Sequence, residues 1–229
     1  MLLKRGFTLT GASVNLNDLQ DLHKGETVWV LGSGPSLNYI DGSLFDDKTT
    51  VSTNFSARAL GVRADYAFTH YHGNAADLLK DTMTVVTLAK SFQDNTPFPG
   101  PVPTDIVLAE QDSYTPPGSS WNPVTTHPPR KDSLAYGSSS LHGAMHLAAH
   151  LGASHIILVG ADCGQIDGED RVTNYEFPGG HALWTLYDHH HQLMKQYLEQ
   201  KYPVRIHSLN PFINLNLEGH SFRGASTTA

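Results

Sequence analysis

The sequence predicts an α/β fold of the Rossmann-like type, a mainly parallel sheet with helices on both faces. Short apolar segments such as Thr27–Leu31 and His155–Val159 alternate along the chain with segments of helical pattern. The apolar residues in these segments are continuous, as expected for central strands that are covered on both faces. Strands that alternate with helices are joined by right-handed crossovers, and they therefore run parallel.

Local signals place the individual elements. Thr27–Leu31 is the first predicted strand; it ends in a glycine-rich turn, and Pro35 suits the first position of a helix. Thr49–Thr53 is rich in β-branched residues and predicts a second strand. The remaining predictions are helices over 57–61, 75–80, 138–151 and 181–201 and strands over 65–69, 83–88, 106–108, 155–159 and 204–208.

The length of 229 residues suits one Rossmann-like domain over 1–229. Within it, residues 1–24 form a lead-in segment without a strong pattern. Residues 91–133 differ from the rest, because nine of the 13 prolines fall there. Loops of this length in compact domains are commonly lids or binding segments, so a lid is expected here.

Composition limits the classes of partner and compartment. The net charge of −7 argues against a broad basic surface for nucleic acid. The single Cys163 excludes an internal disulfide and fits a reducing cytoplasm. No apolar run reaches the roughly 18–20 residues of a spanning helix. We therefore expect a cytoplasmic protein without a membrane span, and a homo-oligomer remains open.

Candidate ligand residues follow the predicted strands. In open parallel sheets, ligands bind beyond the carboxyl ends of the strands. The positions there are Gly32–Ser36, Asn54, His70–His72 and Asp162. The glycines allow close backbone approach, and a helix that starts near Pro35 would direct its positive end at an anion. The alternative for this turn, which is neither GxGxxG nor a P-loop, is a tight connection without a ligand.

Several histidines and one aspartate each allow more than one interpretation. His70 and His72 alternate at a strand end and could face one ligand or metal, but no clear third metal ligand accompanies them, which favours polar residues at the sheet edge instead. His189–His191 fan out around a helix, which favours a solvated face. His181 opens the last helix and suits a general base, or is only a helix-start residue. Asp162 could bind a ribose hydroxyl, a metal or a loop amide.

Four segments together resemble the bacterial sialyltransferases of glycosyltransferase family 42. They are the GSGPSL start within 30–37, Thr53–Phe55 with Gly61 and Ala67–Phe68, the serine-led helix and strand over 139–162, and Gly180–His181 through Asn210–Pro211. The resemblance covers about residues 30–215. The GxGPSL start also resembles archaeal MptE-type 6-hydroxymethylpterin pyrophosphokinase-like proteins.

The resemblance implies a CMP-type nucleotide-sugar donor, with His181 as the base that deprotonates an acceptor hydroxyl, and no metal cofactor. Two departures from the family concern its tyrosines and its asparagine. Gly164 stands where the first leaving-phosphate tyrosine is expected, and Tyr175 replaces the second with a shift in spacing. His70–His72 stand where an asparagine is expected. The donor-binding residues implied in this way are Gly32, Ser33, Gly34, Pro35, Ser36, Asn54, His70, His72, Ser139, Ser140, Asp162 and Tyr175.

Three functions follow as hypotheses. The first is a glycosyltransferase-like enzyme that uses a nucleotide-sugar donor and an acceptor that the sequence does not identify. The second is an MptE-like diphosphokinase, which would need Mg²⁺ and carboxylates such as Asp162, Asp167 and Asp170 near the phosphates. The third is a nucleotide-binding module without catalysis.

Overall fold

The strands form one parallel sheet in a computed structural model that describes residues 14–91, 95–112, 132–175 and 184–209. The strand order across the sheet is β6-β5-β4-β3-β2-β1-β7-β8. This confirms the predicted α/β Rossmann-like fold. The strands are β1 Thr27–Leu31, β2 Thr49–Thr53, β3 Ala64–Thr69, β4 Thr82–Leu88, β5 Ile106–Asp112, β6 Ser133–Ala135, β7 His155–Val159 and β8 Arg205–Leu209.

The helices of the described residues are α1 Ser56–Leu60, α2 His72–Leu78, α3 Ser140–His150 and α4 Trp184–Lys201. Three short 3-10 helices cover Leu16–Leu19, Pro35–Tyr39 and Gly42–Phe45. Helix α2 begins earlier than predicted, and α3 begins at Ser140 because Ser139 accepts a hydrogen bond from the first turn as its N-cap. Nowhere in the described ranges is a helix both long and apolar enough to cross a membrane.

Both faces of the sheet are covered, which explains the continuous apolar strands. Val28 and Val30 of β1 point into the larger core, to which helices α3 and α4 contribute. Leu31, on the opposite face, packs with Leu37 and Phe45 of the two 3-10 helices that follow β1. Alternate residues of one strand therefore enter two different cores.

The order of the strands creates a switch point next to β1. From β1 the chain builds β2 to β6 in one direction, and it then returns to place β7 on the other side of β1. The register pairs Leu31 at the end of β1 with Val159 at the end of β7. At such a switch point, a ligand crevice is expected beyond the carboxyl ends of the strands.

The described part of the lead-in, from residue 14 onward, belongs to the main core. Asn15 and Asp18 form a capping box around the first 3-10 helix. Leu16 and Leu19 are almost fully buried in the larger core. The weakly patterned lead-in thus contains a short helix and core residues in this part, and residues 1–13 lie outside the described residues.

Part of the proline-rich segment 91–133 is also regular structure. Strand β5 runs to Asp112, beyond the predicted end at residue 108, and pairs in parallel with both β4 and β6. The short strand β6 was not predicted, because three residues give too little pattern. Residues 92–94 and 113–131 lie outside the described residues, so the lid stays a prediction.

Two helical glycines give a matched test of the packing of α3. A Cβ on Gly143 would lie 2.2 Å from Cε1 of Phe68, so α3 can approach β3 only because this residue is glycine. Gly73 in α2 has no atom within 4 Å of the same position. We expect Gly143→Ala to destabilise the protein by about 1–3 kcal/mol through overpacking. Gly73→Ala should be neutral or stabilising by up to about 1 kcal/mol.

Urea unfolding of both variants measures the two effects. Equal free energies of unfolding for Gly143→Ala and the parent protein would contradict the close contact between α3 and β3.

Candidate functional site

The turns that follow β1 and β7 are bonded directly to each other. The N–H of Gly32 donates to the carbonyl of Val159 at 2.7 Å, and the N–H of Gly34 donates to the carbonyl of Gly160 at 2.7 Å. Asp162 adds a third link, because its carboxylate accepts from the backbone N–H of Ser36 at 2.6 Å and from the Ser36 hydroxyl at 2.7 Å. Asp162 is buried, so this charge-assisted pair joins the two turns away from solvent.

These bonds change the predicted role of the glycine turn. A Cβ on Gly32 would lie 2.3 Å from the carbonyl oxygen of Gly160, and a Cβ on Gly34 would lie 2.4 Å from a carboxylate oxygen of Asp162. The glycines are therefore required for contact between the turns. The N–H groups of Gly32, Gly34 and Ser36 are already donated to acceptors of the protein itself. Of the three roles open to Asp162, the structure shows the hydrogen bond to a loop amide, that of Ser36.

A cleft of about 240 Å³ opens at this switch point. It lies beyond the carboxyl ends of β1, β2, β3 and β7 and is bordered by the start of α3 and one face of α4. Most of the predicted donor-binding residues that the structure describes border it. The predicted residues in its wall are Gly32, Ser33, Gly34, Asn54, His70, Ser139, Ser140, Asp162 and Tyr175.

Uncharged polar side chains form the cleft wall at the carboxyl ends of β2 and β3. Asn54 takes a positive φ of 45°, which asparagine tolerates better than most residues. Its amide oxygen accepts from Thr69 at 2.8 Å, and its amide nitrogen donates to Ser140 at 3.2 Å. The Nδ1 atom of His70 lies 2.8 Å from the Ser140 hydroxyl and 2.9 Å from the Tyr136 hydroxyl. These side chains are held by one another before any ligand enters.

The charged features of the cleft are the positive end of the α3 dipole and one ion pair. Ser139 caps α3 through its side chain, and residues 138–141 border the cleft, so the positive end of the helix dipole lies at the cleft. Arg171 also lines the cleft, where its guanidinium pairs with the Asp170 carboxylate at 3.1 and 3.2 Å. Burial raises the pKa of Tyr175, while hydrogen bonds with Ser33 and Asn54 act in the opposite direction.

Three predicted donor-binding residues do not line the cleft. Pro35 and Ser36 are buried in the 3-10 helix, with Ser36 bonded to Asp162. His72 begins helix α2, so it does not alternate with His70 along a strand, and its Nε2 atom lies 2.8 Å from the carbonyl of Leu88. The prediction that His70 and His72 face one ligand is therefore wrong. His181, the predicted general base, lies outside the described residues.

Helix α4 contributes His191 to the cleft, a residue that the sequence interpretation placed on a solvated face. His190 and His191 are almost fully buried, so the predicted solvated face is wrong for both. His190 contacts the Ser138 hydroxyl at 2.8 Å, and His191 contacts the Cys163 sulfur at 3.4 Å. Arg171, Cys163, Tyr187 and His191 all border the cleft and were missed as candidates.

The buried histidines are neutral groups in this site. Burial lowers the pKa of His70 and of His191 to about 3 and that of His190 to about 4. Burial also holds the pKa of His142, behind the cleft in α3, well below its usual range. They therefore act as hydrogen-bonding groups at neutral pH. Among the residues that the structure describes, no three His, Cys, Asp or Glu side chains form a group that could hold a metal ion.

The fold and the cleft together define an α/β Rossmann-like protein with a polar cleft at the switch point of its sheet. No family model matches the chain, and a search of curated proteins finds no match. Among solved structures, the chain is similar to the MAf glycosyltransferase from Magnetospirillum magneticum AMB-1, with a TM-score of 0.50 and 15% identity over 87% of this chain. The chain spans 39% of that protein's length. At this identity, the likeness shows the fold.

The link between Asp162 and Ser36 has a measurable energy. In Asp162→Asn the amide replaces a carboxylate that accepts two hydrogen bonds in a buried site, so we expect a loss of about 2 kcal/mol in the free energy of unfolding. Asp167→Asn is the matched control, because Asp167 is exposed on the same loop and bonds to the exposed Tyr39. That change should cost less than about 1 kcal/mol. Urea unfolding compares the two, and equal losses would contradict the structural role of Asp162.

The buried histidines predict a loss of stability in acid. Unfolded histidine titrates near pH 6.5, whereas His70, His142, His190 and His191 have lowered pKa values in the folded protein. Between about pH 6 and pH 4 the unfolded chain binds more protons, so stability falls as the pH falls, by about 1.4 kcal/mol per pH unit for each proton. Urea unfolding at several pH values measures how many protons the chain takes up when it unfolds. An uptake below one proton would contradict the burial of these rings.

Proposed function

We propose that the protein is a glycosyltransferase-like enzyme that transfers a sugar from a nucleotide-activated donor, of the CMP type, to an acceptor hydroxyl. The observation that carries this proposal is the composition of the cleft. It combines a cationic side chain and the start of a helix with a wall of neutral hydroxyl, amide and imidazole groups. The similar fold of a protein that is titled a glycosyltransferase supports it.

The charged part of the cleft suits a phosphate. Among the described residues that line the cleft, Arg171 is the one lysine or arginine. A guanidinium binds phosphate oxygens in pairs, and a helix start favours negative charge. The pairing of Arg171 with Asp170 holds the guanidinium plane in place, and a phosphate would compete with that carboxylate. The donor phosphate is therefore assigned to the Arg171 side of the cleft.

The neutral wall suits the uncharged parts of the donor. Asn54, His70, Ser140 and Tyr71 combine hydrogen-bonding groups with an aromatic ring and carry no formal charge at neutral pH. Such groups recognise hydroxyl-rich or heterocyclic moieties by hydrogen bonds and ring contact.

The base for the reaction remains His181 in this proposal. A general base works best when its pKa lies near the operating pH. The described cleft histidines His70 and His191 have pKa values of about 3, which makes them weak proton acceptors at pH 7. His181 would accept the proton of the acceptor hydroxyl as the oxygen attacks the anomeric carbon, and the nucleotide leaves with the bonding electron pair.

The diphosphokinase hypothesis has less support from the arrangement of carboxylates. Asp162 bonds to Ser36, Asp167 to Tyr39 and Asp170 to Arg171, so these three carboxylates each serve a different protein partner. A comparison of CMP binding without metal and ATP binding with Mg²⁺ distinguishes the two reactions.

Calorimetric titration with CMP tests the donor site. We expect binding without added metal and a roughly tenfold weaker affinity in Arg171→Gln, since one charge-assisted contact to phosphate is lost. Arg205→Gln, which removes a positive charge from an exposed position on β8, is the matched control and should bind as the parent does. Binding of ATP only with Mg²⁺, and no CMP binding, would support the diphosphokinase instead.

Turnover tests the catalytic part of the proposal. Hydrolysis of a CMP-sugar without acceptor is the simplest assay, because water then replaces the unidentified acceptor. His181→Ala should reduce this rate by about 10²–10⁴-fold, the usual contribution of a positioned base, while CMP affinity is kept. An unchanged rate would rule out His181 as the base.

A further inference from the structure

Five buried residues form one hydrogen-bonded chain under the cleft. Thr69 lies 2.8 Å from the Asn54 amide oxygen, the Asn54 amide nitrogen lies 3.2 Å from the Ser140 oxygen, and Ser140 lies 2.8 Å from Nδ1 of His70. The Tyr136 hydroxyl reaches the same nitrogen at 2.9 Å. Each of the five residues is at least nine-tenths buried, so their polar groups depend on partners within the protein.

The direction of this chain is set at Tyr71. The backbone N–H of Tyr71 donates to the Thr69 oxygen at 3.1 Å, which leaves the Thr69 hydrogen to point at the amide oxygen of Asn54. The amide nitrogen of Asn54 then faces Ser140 and donates to its oxygen. Ser140 has thereby accepted one hydrogen bond, and its oxygen lies 2.8 Å from Nδ1 of His70, within reach of the Ser140 hydrogen.

The hydrogen bond at Ser140 and the tautomer of His70 determine each other. When Ser140 donates to Nδ1, that nitrogen carries no proton; when Nδ1 carries the proton, Ser140 accepts two hydrogen bonds and its own hydrogen points elsewhere. The ring as a whole is neutral at pH 7, because burial lowers the pKa of His70 to about 3. A neutral ring has one N–H, which is on Nε2 when Ser140 donates to Nδ1. The Tyr136 hydroxyl lies at the same nitrogen, at 2.9 Å.

We propose that Nδ1 of His70 is unprotonated and accepts from Ser140, so that His70 is a positioning residue that fixes the orientation of the Ser140 hydroxyl and the Asn54 amide in the cleft wall. Because the Ser140 hydrogen is committed to His70, the serine oxygen meets a ligand as an acceptor. The ligand group at Ser140 is then a hydrogen-bond donor, a hydroxyl or an amino group, and not a phosphate oxygen. The ligand part of this inference rests on the proposed nucleotide-sugar site; the tautomer does not.

Nitrogen NMR of the ¹⁵N-histidine-labelled protein tests the tautomer without any ligand. The signals of His70 are assigned by their loss in His70→Asn. From pH 6 to pH 8 we expect Nδ1 to show the shift of an unprotonated nitrogen and Nε2 the shift of a protonated one. The reverse pattern, or a ring that titrates in this range, would overturn the proposal even if the protein bound no nucleotide.

Two substitutions of His70 distinguish a role of Nδ1 from a role of Nε2. The side-chain amide of asparagine lies near the place of Nδ1, and that of glutamine lies nearer the place of Nε2. His70→Asn keeps an acceptor for Ser140, so its CMP affinity should stay within about threefold of the parent. His70→Gln loses that acceptor, and its affinity should fall about tenfold, as expected for one buried hydrogen bond. Urea unfolding confirms that both variants fold.

The outcomes separate this inference from the proposed function. Loss of affinity in His70→Asn with retention in His70→Gln, or an equal effect of both, overturns the role of Nδ1. Absence of CMP binding in the parent protein contradicts the proposed donor site, and the NMR result then decides on His70 alone. A comparison with UMP, which lacks the amino group of cytosine, identifies the ligand group. An equal loss with both nucleotides in His70→Gln indicates a hydroxyl.

Discussion

The carboxylate of Asp162, bonded to the backbone and hydroxyl of Ser36, is the interaction on which the geometry of the site depends. It joins the turn after β1 to the turn after β7 at the point where the direction of strand addition reverses. The close backbone contacts at Gly32 and Gly34 follow from this junction, because a side chain at either position would overlap the opposite turn. A buried charge is stable there because it accepts hydrogen bonds from Ser36 at both oxygens.

Neutral histidines are the second constraint on the interior. His142, His146 and His150 follow one another at four-residue spacing along α3, and all three are buried. His146 accepts from the backbone N–H of Ala135 and contacts the Tyr202 hydroxyl, and His150 bonds to the carbonyl of Leu16. These rings connect α3 to a sheet edge, to the end of α4 and to the lead-in. Burial lowers the pKa of His142 and of His150, which is compatible with their place in an apolar core.

The elements that the sequence predicted best are those with a strong local pattern. The bounds of β1, β2 and β7 match the structure, because continuous apolar or β-branched runs bounded by turns are specific to buried strands. The edge strand β6 and the second half of β5 carry no such pattern. Burial of His190 and His191 was missed because their place depends on how α4 packs against the start of α3 and the β7 turn. The four-residue spacing of the histidines in the apolar segment 142–150 places them on one helix face, and this pattern indicates buried rings.

The candidate site shows why a motif and its position are different kinds of evidence. The position was informative, since nine of the predicted donor-binding residues line one cleft. The motif alone says less about chemistry, since three N–H groups of the glycine turn bond to β7, to its turn and to Asp162. Glycine is needed wherever two backbones approach closely, whether the second backbone belongs to a ligand or to the protein itself. In this fold the anion at the glycine turn is the carboxylate of Asp162, a side chain of the chain itself.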